Sequence, residues 1–424
     1  MAKNTKTVFK AFDYLHCDDF AKFLMDMAAK GWHFKEWGVG FKFEKGEPEQ
    51  VVYAVEVFTD ASEYDLRPEP NTTLNFAEYC KKAGWELVDA KRKFCIFKKV
   101  HEDAVAILTQ EERVENVIKE SRAQMYWPLL MSMSFVSLQM ADYFSETNFK
   151  FQIFSSFELA MTLFWTTALL HEIIKYIMFL YKKHKMKRKL ESGENVYIGE
   201  GKRHPVFHWS MALVIFTAIV GVALVPVDWM LRLAIMSGVV IFIFLLVAIL
   251  LAKFRPDSDT NYIVQAVLGM VYVIAILIFA VCWGLEENET AVADAPLKKS
   301  DYMEMVPKIS SINLYEDNNI LGSRQVYVIF HEYVEGEESH GLIYEKYTSE
   351  VDWIMDRIWQ VTVGEIDEVK RVECTKEWGA RNAFSTGYKY FVRYENTIFV
   401  FSDYEEKALT QNQIHIIRDK LELR

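Results

Sequence analysis

The feature that most constrains this chain is a set of apolar segments long enough to cross a bilayer. Inside lipid every backbone N–H and C=O must be satisfied by the segment itself or by a closed barrel, so a lone apolar run of about 20 residues has to be a helix. Five stretches qualify: residues 126–144, 153–181, 206–225, 231–252 and 262–285. The last three are almost wholly apolar. Residues 153–181 carry polar interruptions, and 126–144 starts with Pro128 in its first turn, where a proline is tolerated. Basic residues cluster in alternate connections. The 182–205 loop holds Lys182, Lys183, Lys185, Lys187, Arg188 and Lys189 among others, and 253–261 holds Lys253 and Arg255, whereas the other two connections hold only Lys150, with Arg232 at the very start of the fourth segment. By the bias of Lys and Arg to cytoplasmic loops, five spans then leave the N-terminal third inside and the C-terminal third outside.

Charge is segregated along the chain. The net charge of the 424 residues is −11, and residues 285–424, with 16 Lys/Arg against 27 Asp/Glu, hold an excess of the same size. No region is basic enough for a nucleic-acid footprint, whereas an acidic outer domain favours a cationic extracellular ligand. The five cysteines form no CxxC pair and no zinc spacing, so neither a structural metal, a cofactor nor a disulfide framework is expected.

Residues 1–100 read as a soluble domain with an internal duplication. Residues 5–12 alternate as a strand, and 18–30 (DDFAKFLMDMAAK) have helical spacing and end at Gly31. Residues 32–45 and 50–59 follow as strands across the turn GEP. A second helix over 73–83 ends at Gly84, and 85–100 returns as a strand. Each Gly-Trp pair closes a helix and opens a strand, so Trp32 and Trp85 form a repeated aromatic element packing helix to sheet. The simplest architecture for this order is a ferredoxin-like βαββαβ sandwich, making the whole a multi-domain α+β membrane protein.

The combination AKGW at 29–32, FKFEKGEP at 41–48 and AGW at 83–85 resembles a bacterial family called domain of unknown function 2812, over residues 7–100 or so. That resemblance implies a multi-span protein of the bacterial plasma membrane with this domain in the cytosol, and it implies no catalytic residues.

Residues 101–125 are charged and helix-prone, a connector between this domain and the membrane region 126–285. Residues 286–311 are polar and read as a tether to an outer α+β domain over 312–424. There, 324–334 and 342–347 alternate as strands around an acidic loop, 350–360 is an amphipathic helix, 388–394 and 397–402 form a hairpin, and Thr410 with Gln413 is a capping-box pattern opening a last helix. At the strand end and in the acidic loop, His331, Glu335, Glu337, Glu338 and His340 are a weak cation-site candidate. HEYVE starts like a zinc-protease motif, but it lacks the second histidine that a helix would present at i+4.

Ionisable residues inside a span are costly and mark candidate sites. The second segment carries Glu158, His171, Glu172 and Lys175, the last three within one helical turn. No nucleophile–base pair, phosphate loop or metal motif accompanies them, so the chain does not read as an enzyme. The expected role is an envelope sensor or regulatory adaptor that joins the acidic outer domain to a cytosolic protein partner. The alternative is a small-solute or lipid-handling component using the polar site of the second span.

Overall fold

The computed structural model describes residues 4–145, 148–199, 205–224, 227–285, 290–331 without 293, 304, 305 and 307, then 341–364, 366, 370–403 and 408–423. The chain divides into two compact units: Met1–Ser134, Thr166–Phe216 and Val225–Ile278 form the first; Phe135–Trp165, Thr217–Leu224 and Phe279–Arg424 form the second. Both carry sheet and helix, the mixed α+β architecture expected.

The sheet-bearing part of the first unit runs β1 (Thr5–Val8), α1 (Cys17–Ala28), β2 (Trp32–Trp37), β3 (Phe41–Lys45), β4 (Tyr53–Val57), α2 (Asn75–Lys82), β5 (Trp85–Lys91) and β6 (Phe94–Lys99). The strands form two antiparallel three-stranded sheets, β1-β3-β2 and β4-β6-β5. This departs from the single sheet of the expected sandwich. The reason is local. Residues 32–45 and 85–100 are each a hairpin and not one strand, turning at Gly38–Gly40 and at Arg92–Lys93, where Arg92 takes a positive φ of 54°. The duplicated unit is therefore βαββ. Its two copies share a register irregularity at the same place, between Phe34 and Glu36 and between Leu87 and Asp89. A bulge there adds local twist and turns the strand end.

The first core joins α1 (Phe20, Leu24, Met27) to Phe41 and Phe43, both fully buried, and continues to Phe94 and Ile96. Burying a phenylalanine in this way contributes about 1.5–3 kcal/mol. The opposite face of β6 presents Cys95 and Phe97 to Cys80 of α2 and to Trp85, a second core. Thus β6 is buried on both faces, and a period-2 reading of FCIFKK finds no polar side because none exists.

Helix α3 (Gln110–Phe144) is continuous through Pro128, so the expected connector and first span are one element. A proline inside a helix removes one hydrogen bond and crowds the preceding turn. Here Val114, Val117 and Ile118, buried in the first core, hold the N-terminal half in place. After the short α4 (Phe149–Gln152) come α5 (Ser156–Glu191), α6 (Pro205–Ala223), α7 (Val227–Phe254) and α8 (Ser258–Leu285). Among the described residues, α5 and α6 are long and apolar enough to cross a membrane. The described apolar run in α7, Gly238–Phe254, is shorter.

The second unit is organised by one eight-stranded sheet. Its strands are β7 (Thr290–Ala291), β8 (Ile309–Asn319), β9 (Gly322–His331), β10 (Leu342–Thr348), β11 (Val372–Glu373), β12 (Asn382–Ser385), β13 (Lys389–Arg393) and β14 (Thr397–Asp403), in the order β11-β12-β13-β14-β10-β9-β8-β7. One face packs on α10 (Thr375–Trp378) and α11 (Gln411–Lys420) through Trp378, Ile414 and Ile417. The other packs on α9 (Asp352–Gly364) and on Phe149, Ile153 and Phe154 of the α3–α5 connection. Thr410 caps α11, with Gln413 returning to its backbone as its sequence pattern predicts. The segment read as a tether is partly built in: Leu297 is fully buried, and buried Lys299 pairs with Asp403 at 2.7 Å.

Candidate functional site

The polar residues of α5 fall in two places. His171 is buried, and its Nδ1 lies 2.9 Å from Ser210 Oγ on α6. Ser210 Oγ donates to the Phe207 carbonyl at 3.0 Å, which uses its single proton. An imidazole protonated at Nδ1 satisfies both contacts, leaving Nε2 as the acceptor. One turn on, Lys175 Nζ sits 2.8 and 3.0 Å from the two oxygens of Glu172, a pair that neutralises both charges locally. Glu158 belongs to the second unit, where Gln139 bonds its carboxylate. Thr162 Oγ beside it contacts Gln139 and donates to the Glu158 backbone carbonyl at 2.9 Å. His171, Glu172 and Lys175 are thus neighbours, and Glu158 has its own partner in Gln139.

The other candidates are structural by contact. Trp85 is buried and its indole N–H donates to the Val105 carbonyl at 2.7 Å. Trp32 packs against the first core, with Lys6 Nζ 5.6 Å from its ring. His331 is buried at the end of β9. Glu335, Glu337, Glu338 and His340 lie outside the described residues. No cluster of three or more metal-ligating side chains occurs among the described residues.

What sequence reasoning missed is how the duplicated domain is seated. Arg113, on α3, donates from Nε to Glu56 of β4 at 2.8 Å and from Nη2 to Asp18 of α1 at 2.7 Å. The second oxygen of Asp18 accepts the Ile198 N–H at 2.6 Å, and Tyr197 donates to Asp19 at 2.7 Å, so the chain after α5 is tied to the start of α1. Arg255, between α7 and α8, reaches buried Asp89 of β5 at 2.7 Å and also donates to the Leu66 and Ala90 carbonyls. Asp89 accepts in addition the Trp37 N–H at 2.6 Å, across the two sheets. Asn261 donates to the Tyr64 carbonyl at 2.5 Å. Arg255 adopts a positive φ of 44°, a conformation that costs energy for any residue with a Cβ. The fan of hydrogen bonds from its guanidinium offsets that strain. Sequence flagged Arg255 as a loop cation, but its partner stands 166 residues away and left no local signal.

Residues 17–130 match the family described as a protein of unknown function, DUF2812. The resemblance read from the two Gly-Trp elements is the same family. The DUF2812 match extends beyond residue 100 into α3, past Arg113 and the buried Val114, Val117 and Ile118. The matched segment therefore runs from α1 through β6 into the first half of the long helix, whose arginine reaches both βαββ copies. No curated protein and no solved structure matches the chain.

Proposed function

We propose that the protein is a non-enzymatic envelope sensor or regulatory adaptor of the bacterial plasma membrane, with five spans, the DUF2812 segment in the cytosol and the acidic β-sheet domain outside. The DUF2812 surface meets a cytosolic protein partner, and the outer domain meets a cationic ligand. The observation that carries this reading is the seating of the duplicated domain on three separate parts of the helical region: Arg113 of α3, Tyr197 and Ile198 after α5, and Arg255 before α8. A domain bonded to several helices senses a shift of any one of them, whereas a tethered domain would not. The two basic loops are also the two that reach this domain, in line with a common cytoplasmic side. The −11 balance of residues 285–424 supplies long-range attraction for a cation.

The test uses the full chain in lipid nanodiscs with a lysine-rich peptide as probe. Binding should weaken as salt rises. It should also change hydrogen exchange at the amides of Ile198 and Trp37, which report the Asp18 and Asp89 contacts. No binding at low salt, or binding that leaves both amides unchanged, overturns the proposal.

A further inference from the structure

A cavity lined entirely by residues of the first unit has a volume of about 830 Å³ and runs along one face of α5. Its α5 wall repeats at helical spacing and changes character along the helix. Ile174, Ile177, Met178 and Tyr181 come first, then Lys182, Lys185 and Lys189, with Met186 among them. From Ile174 to Lys189 the wall is about 22 Å long at 1.5 Å per residue. The facing wall is Leu15, Val196, Tyr197 and Val206. Ile177 on α5 and Val206 on α6 are half-exposed, and both helices are long and apolar enough to cross a membrane.

A long apolar trough that ends in three cations matches one shape of ligand, an acyl chain bearing an anionic head. We infer that this cavity is a binding site for an anionic phospholipid of the surrounding bilayer, its chain along residues 174–181 and its phosphate at Lys182, Lys185 and Lys189. A free phosphate would use the lysines and leave the apolar length unexplained. A neutral lipid would carry no net charge to pair with the three lysines that line this end of the cavity. Asp13, which faces Lys182, takes part of that cation's charge, so Lys185 and Lys189 carry most of the head-group attraction. The inference requires α5 to lie in a membrane and does not depend on the direction of crossing.

The test is retention of phosphatidylglycerol against phosphatidylcholine by the full chain, read by native mass spectrometry after detergent exchange. The parent should keep phosphatidylglycerol preferentially. K185Q/K189Q should lose that preference by about tenfold or more. K183Q/K187Q, which removes the same charge from lysines that do not line the cavity, should retain it. Equal loss in the two double variants would reduce the effect to general surface charge and overturn the site. Displacement by glycerol phosphate at the concentration that displaces the lipid would make it a small-anion site and overturn the lipid assignment. If K185Q/K189Q is not recovered folded, K185Q and K189Q are read singly, and retention by both overturns the site.

Discussion

Glu56 is a carboxyl group held away from its ordinary chemistry. Burial pushes it up from 4.5 to about 7, against the pull of Arg113, whose charge is shared with Asp18. Below the ordinary carboxylate value both folded and unfolded chains hold the proton. Between there and about 7 the folded chain keeps it and the unfolded chain releases it, so stability falls as pH rises through that window. The full effect is roughly 3 kcal/mol. Thermal unfolding of the detergent-purified chain from pH 4.5 to 7.5, followed by tryptophan fluorescence, should show this decline. Glu56→Gln, which keeps an acceptor for Arg113 and cannot ionise, should flatten it. An unchanged slope in the variant would assign the decline to another group.

At the scale of elements, the two helix ends that attracted attention in the sequence are demanding positions. Gly31 and Gly84 have φ of 75° and 90°, and a Cβ on Gly84 would meet Ala104 Cβ at 2.7 Å, while one on Gly31 would meet the Gly46 carbonyl oxygen at 2.7 Å. Backbone strain alone costs about 1–2 kcal/mol per residue, and the contacts add to it. Gly84→Ala and Gly31→Ala should each lower the unfolding free energy of the full chain by about 2 kcal/mol or more. A loss under about 0.5 kcal/mol in denaturant titration would show that the turns relax freely. These ends were legible because glycine and periodicity are local signals. The glycines of GVG do mark the turn inside 32–45, whereas Arg92-Lys93 inside 85–100 carries no strong turn signature and β6 is apolar on both faces. Strands β8 and β12 were missed for a related reason: β8 is rich in polar and partly exposed residues, and β12 has only four. Of the α5 cluster, sequence spacing placed His171, Glu172 and Lys175 together, but Ser210 and the Arg113 and Arg255 contacts depend on tertiary pairing across long separations.

For the whole molecule the decisive quantity is which side of the membrane each folded domain occupies, and the structure supplies better reporters than the native thiols. Cys17, Cys80, Cys95 and Cys374 are all buried, so a maleimide would reach them slowly whatever the topology. Ile320, in the turn between β8 and β9, is 92% exposed, and Tyr79, on α2, is 70% exposed. In a Cys282→Ala background, Ile320→Cys should be labelled by a membrane-impermeant maleimide on intact cells, and Tyr79→Cys only after lysis. That pattern follows from an odd number of spans with the basic loops inside. Labelling of both on intact cells would mean an even number of crossings and two outer domains, leaving the Arg113 and Arg255 contacts with no cytosolic reader. The reverse pattern would put the acidic sheet in the cytosol, where a cationic envelope ligand cannot meet it. In either case the sensor reading fails, while the lipid cavity on α5, which needs only a bilayer beside it, would still stand.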